Sequence, residues 1–88
     1  MINIRATHRF IMHFKSLDKN QRILAIQELA LFRENPLDTS FNTHALSGKL
    51  SGLYSFSVLS DLRILFRFIK KDKSEVLLYD IGSHEIYK

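Results

Sequence analysis

The sequence predicts an α+β domain: an N-terminal strand and a helical hairpin packed on one face of a small, mainly antiparallel four-stranded sheet. Three observations carry that expectation. Apolar residues recur at helical spacing from Phe10 to Phe32, they alternate with polar ones from Tyr54 to Phe68, and Pro36 is the only proline. No repeat, low-complexity tract or linker interrupts the 88 residues, so residues 1–88 read as a single domain.

Each element has its own signal. "INIRA" (2–6) alternates Ile2, Ile4 and Ala6 with Asn3 and Arg5, the period of a half-buried strand. Thr7 can cap a helix running to about Ser16, with Phe10, Phe14 and Leu17 at i, i+4 and i+7 and Ile11 beside them. Asp18 opens a second helix with Gln21 at the spacing of a capping box, and Ile23, Ile26, Leu29, Ala30 and Phe32 give it a broad apolar face. Asn35-Pro36 ends it. Asp, Thr, Ser, Asn and two of the three glycines crowd between Leu37 and Tyr54, which reads as a wrapping loop. "YSFSVLS" (54–60) is a strand, Ser60-Asp61 a tight turn, "LRILFRFI" (62–69) a second strand and "KKDK" (70–73) the next turn. "EVLLYDI" (75–81) follows; its four consecutive apolar residues suggest an inner strand covered on both faces.

The helices must cover one sheet face, since their stripes have no other partner. Leu62, Ile64, Phe66 and Phe68 form the natural counterpart to Phe10, Phe14, Ile23 and Ile26. That arrangement turns Arg63 and Arg67 to the opposite, uncovered face, roughly 13 Å apart at 3.3 Å per residue.

Charge is unevenly spread. Residues 1–43 carry six basic and four acidic groups, 44–73 six and two, and 74–88 one and three. The middle segment has the surplus expected where a polyanion docks, which is also the pattern of an ordinary solvated face. With no cysteine there is neither a disulfide framework nor a thiolate zinc site. No apolar run approaches the roughly 20 residues that span a bilayer, and "MINIRATHRF" lacks the order of a secretory signal. A soluble, cytoplasmic protein without membrane contact is expected.

Chemistry-bearing residues collect late in the chain. His8 and His13 lie about 140° apart around their helix, so they cannot converge on one metal and read as solvated or half-buried. Gly48 and Gly52 read as turn formers, because neither spacing nor a following helix makes a phosphate loop. His44, Asp61, Arg63, His84 and Tyr87 fall at strand ends or in the loop entering the sheet. Such a set could cleave RNA with no metal and no cofactor. One imidazole or carboxylate takes the 2′-hydroxyl proton, Arg63 neutralises charge on the phosphorane-like transition state, and a second imidazole protonates the 5′-oxygen. Histidine suits both roles because its unperturbed pKa lies near neutrality.

The succession of "HALSGKLSGLYSF", "SDLRILFRF" and "LLYDIGSHEIYK" after a strand and helical hairpin resembles the RelE/ParE superfamily of type II toxin–antitoxin toxins, nearest the RelE/StbE and YafQ-like branch. The resemblance covers essentially the whole chain. It implies a RelE-like microbial RNase fold, cleavage of messenger RNA in the ribosomal A site, and a cognate antitoxin that covers the toxin in a hetero-oligomer. By the same resemblance His44 matches the histidine of a His-x-Leu-x-Gly motif and Asp61 an active-site aspartate. Arg63 matches a phosphate-contacting arginine, His84 the general acid or base in a Gly-x-His position, and Tyr87 a terminal aromatic that stacks on or orients a nucleotide. Lys49 stands for the lysines that crowd such sites, and Arg67 is assigned with it to RNA binding.

The chain departs from that pattern at Ser57, where the YafQ-like branch has a second histidine, and at Tyr87, three residues after His84 rather than four. Two other readings therefore stand beside the nuclease. One is a ParE-like inhibitor of DNA gyrase, which would not need the His44/His84 pair; the other is a non-catalytic module that binds antitoxin or RNA.

Overall fold

The computed structural model describes residues 2–38, 41 and 43–83. In chain order the elements are β1 (Asn3–Ala6), α1 (His8–Ser16), α2 (Lys19–Glu34), β2 (His44–Ala45), β3 (Tyr54–Leu59), β4 (Leu62–Phe68) and β5 (Glu75–Gly82), with a 3-10 turn at Gly48–Leu50 before β3. Both helix starts form as their caps dictate. The Thr7 side chain accepts from the Phe10 N–H, and Asp18 and Gln21 close a reciprocal capping box.

The sheet runs β1-β5-β4-β3-β2, with β1 parallel to β5 and every other pair antiparallel. It has five strands where four are expected from the sequence. The addition is β2, whose two residues pair His44 with Ser55 and Ala45 with Tyr54. A two-residue strand carries no period of its own; the open edge of β3 makes it.

One core lies between the helices and the sheet. Leu62, Ile64 and Phe66 are fully buried there beside Phe10, Ala25, Phe32, Phe41 and Phe56. Phe32 is its hub, stacked on Phe56 at 4.5 Å and edge-on to Phe66 at 4.9 Å. Such aromatic pairs add about 0.5–1.5 kcal/mol each beyond the area they bury.

The expected contribution of Ile23 and Ile26 to this core is corrected: they are 43% and 57% exposed. The helix is rotated so that Ala25, Leu29 and Phe32 meet the sheet. Ala25 is small enough to bring the helix close while Phe32 reaches between strands. Ile26 then lies about 100° round the helix from Ala25, out of reach.

The second sheet face also differs from the expectation of a fully open surface. Arg67 is exposed and Arg63 half-buried, but Ser55, Leu65 and Asp80 at the centre of that face are buried. A bulge explains Asp80. Leu65 pairs with Asp80 and Phe66 with Leu78, so Tyr79 is an extra residue and the core-facing set Val76, Leu78, Ile81 breaks its period of two. Tyr79 and Asp80 both turn away from the core as a result. Among the described residues no helix is long and apolar enough to cross a membrane.

Candidate functional site

Sheet register places two of the predicted catalytic residues, His44 and Arg63, on that second face. Residues directly opposite in an antiparallel pair share a face, so His44, Ser55, Leu65 and Asp80 form one row and Ser57, Arg63 and Gly82 the next. Strand spacing then puts the His44 and Arg63 Cα atoms about 12 Å apart, within joint reach of one bound phosphodiester. Asp61 is exposed in the turn two residues before Arg63.

Arg63 is the most telling side chain in the group. Its Nη1 is buried without a hydrogen-bond acceptor, and the guanidinium makes no ion pair with any described residue. An unmatched buried donor of this kind is costly unless an acceptor is provided. A guanidinium with a free donor is suited to an oxyanion such as a carboxylate or phosphate.

Farther along β4, Arg67 lines a cavity of about 300 Å³ with Lys49, Thr7, Leu77, Tyr79 and residues 50–53. Gly48 and Gly52 shape its loop, with φ of +67° and +93° that favour glycine. The two residues assigned to RNA binding therefore border one concave space. His84 and Tyr87 lie outside the described residues.

The structure also assembles a polar cluster that sequence reasoning missed. Asp80 is 1% exposed, and its Oδ1 accepts from His13 Nδ1 at 2.6 Å and from the Ile81 N–H at 2.8 Å. Its Oδ2 accepts from Arg9 Nε at 3.0 Å, and the Arg9 guanidinium lies 5.9 Å from the Tyr79 ring centroid. Thr7 completes the join by donating its hydroxyl to Tyr79 O and its N–H to Leu78 O. These contacts latch α1 to the part of β5 that β1 is too short to cover. The signal was present: Arg9 and His13 are four apart on one helix face, and Asp80 is the one acid in the run Val76–Ile81. Among the described residues no group of three His, Cys, Asp or Glu side chains could hold a metal ion.

The family model for the bacterial toxin YafQ of type II toxin–antitoxin systems matches residues 2–87. No curated protein matches the sequence. Among solved structures, a YoeB/ParE toxin from Agrobacterium tumefaciens superposes with a TM-score of 0.77 at 12% identity, over 94% of this chain and 99% of that one. A copper-bound mutant toxin from Helicobacter pylori gives 0.69 at 25% identity over 100% of both chains. The RelBE2 toxin–antitoxin complex from Mycobacterium tuberculosis gives 0.72 at 20% identity, over 94% of this chain and 98% of that one.

Proposed function

Because this chain belongs to the YafQ family of type II toxin–antitoxin toxins, we propose that it is a metal-independent, ribosome-dependent endoribonuclease acting on messenger RNA in the A site. The observation that supports the reading is Arg63, a half-buried cation whose Nη1 has no hydrogen-bond acceptor among the described residues, on the same sheet face as His44. Arg63 takes a non-bridging oxygen of the scissile phosphate and stabilises charge as the phosphorane forms. His44 or Asp61 accepts the 2′-hydroxyl proton, the 2′-oxygen attacks phosphorus, and the P–O5′ bond breaks. His84 protonates the departing 5′-oxygen, leaving a 2′,3′-cyclic phosphate and a 5′-hydroxyl. Tyr87 orients the nucleotide, while Lys49 and Arg67 hold the flanking backbone.

A cognate antitoxin is the second part of the proposal. The Mycobacterium tuberculosis relative is a toxin–antitoxin complex. Ile11, Met12, Ile23, Ile26 and Leu31 present apolar surface on the two helices, suited to a segment that folds on the toxin.

The test is to induce the protein in a bacterium and map messenger RNA ends, comparing wild type with Arg63→Ala and His84→Ala. New ends within translated frames are expected for the wild type, reduced about 10²–10³-fold by Arg63→Ala. Persistent toxicity with unchanged RNA ends overturns the nuclease and points to gyrase, which a supercoiling assay checks. A wild type that is harmless without its partner favours the non-catalytic module.

A further inference from the structure

The six basic residues of the middle segment divide into two groups. Arg63, Arg67 and Lys49 belong to the second sheet face; Lys70, Lys71 and Lys73 belong to the β4–β5 turn and have no part in the chemistry above. That turn is firmly built. Ile69 N–H donates to Glu75 O at 2.8 Å, Lys73 N–H to Lys70 O at 3.0 Å and Ser74 N–H to Asp72 Oδ1 at 3.0 Å. The Ser74 side chain and N–H hold the Asp72 carboxyl below its ordinary pKa. Lys73 takes the left-handed conformation at φ +61°, which places its Nζ 5.4 Å from the Phe68 ring centroid.

Beside the turn, the end of the core-facing sheet surface is left half-covered. Tyr54 and Phe68 meet edge-on there at 5.5 Å. Their rings, the three lysines and Gly52 line an open, shallow cavity of about 330 Å³. Neighbouring acids cancel only part of its charge. Asp72 is engaged by Ser74, and Glu75 is shared between Arg5 at 3.1 Å and the exposed Lys70 at 3.8 Å, a pair that a phosphate can displace, while Lys71 and Lys73 make no ion pair among the described residues.

We propose that this cavity is a second RNA-binding site, which takes a single-stranded nucleotide segment with its base against Tyr54 and Phe68 and its phosphates on Lys70 and Lys71. Aromatic faces flanked by cations are the means by which proteins hold single strands without reading sequence. The path also fits. Gly52 borders both this cavity and the one lined by Lys49 and Arg67, so a strand leaving Arg63 on the second face would round the end of the sheet at Gly52 to reach it. Phe68 lies roughly 17 Å from Arg63 along β4, and the site therefore grips RNA several nucleotides from the bond that breaks. An acidic peptide would use the lysines but leave the rings without a planar partner.

The choice of RNA rests on the nuclease reading, yet the site can be tested without cleavage. The full chain is titrated into a fluorescent 2′-O-methyl 12-nucleotide single strand, which cannot be cut, across a range of salt, with Lys70→Gln/Lys71→Gln, Tyr54→Phe and Tyr54→Leu alongside. The lysine double variant should weaken binding several-fold and flatten the log–log salt slope by about 1.4, at roughly 0.7 per phosphate contact. Tyr54→Phe should bind as the wild type does, and Tyr54→Leu roughly tenfold more weakly. Thermal melting identifies any variant lost to unfolding, and the surface lysine variant then decides the matter alone. Unchanged affinity and slope in a folded lysine variant overturn the proposal, as does a lysine-dependent grip on a Glu-rich peptide with lysine-independent RNA binding. Lysine-dependent RNA binding by a protein that never cuts messenger RNA sinks the nuclease reading and leaves this one standing.

Discussion

Asp80 and Arg63 pose two electrostatic problems on one sheet face, one solved and one left open. Asp80 is buried with all its charge answered, by His13, Arg9 and the Ile81 N–H; Arg63 is partly buried with a donor unanswered. The first arrangement serves stability, and the second is the one proposed above to take a ligand. Removing Asp80 leaves a small void and frees two polar side chains that can rehydrate, because His13 is 47% exposed and Arg9 56%. Asp80→Ala should therefore cost about 2 kcal/mol, a fall in Tm of roughly 10 °C for a domain of this size. His13→Ala should cost under about 1 kcal/mol, and thermal melts of the two variants check the contrast. A larger loss from His13 than from Asp80 would show that the carboxylate is not the anchor. Arg63 was identifiable from alternation along β4, whereas Asp80 was passed over because its partners lie more than sixty residues away in the chain.

Helix starts are the elements most plainly written in local chemistry. Thr7 and Asp18 cap the helices they were expected to cap, because a cap is satisfied within three residues and needs nothing from the rest of the molecule. Asp18→Ala should cost about 1 kcal/mol, read as a fall of several degrees in Tm by circular dichroism; no change would mean that packing alone sets the start of α2. The rotation of α2 could not be read in the same way. Its apolar residues run more than halfway round the helix, so several faces competed, and fit against the sheet decided between them. Ile23 and Ile26 lost because Ala25 permits the closest approach and Phe32 fills the space between strands. The β5 bulge was hidden for a related reason. An extra residue in a strand is defined by its partner, and β4 supplies the count.

At the scale of the whole molecule, stability depends on one aromatic cluster and function on what that cluster leaves uncovered. Phe32→Ala removes the hub that contacts Phe41, Phe56 and Phe66 and should cost about 3–5 kcal/mol, a large part of what an 88-residue domain has. Ile26→Lys, on the exposed stripe, should change stability by no more than about 0.5 kcal/mol. Denaturant unfolding of both separates core from surface, and equal losses would show that Ile26 is packed after all. The same Ile26→Lys protein should bind antitoxin more weakly in a titration, since its stripe is the apolar surface proposed to be covered.

Strand and helix order, both caps, the Leu62–Phe68 core row and the candidacy of His44 and Arg63 were determined by the sequence by itself. Each rests on contacts within a few residues, or on a period that one element carries alone. The tertiary structure alone decided the parallel seat of β1 against β5, the fifth strand, the turn of α2 and the Arg9–Asp80–His13 latch. It alone set the lysine turn beside Tyr54 and Phe68 as well. All of these join residues far apart in the chain, and such pairings are set by which surfaces fit once the core has closed.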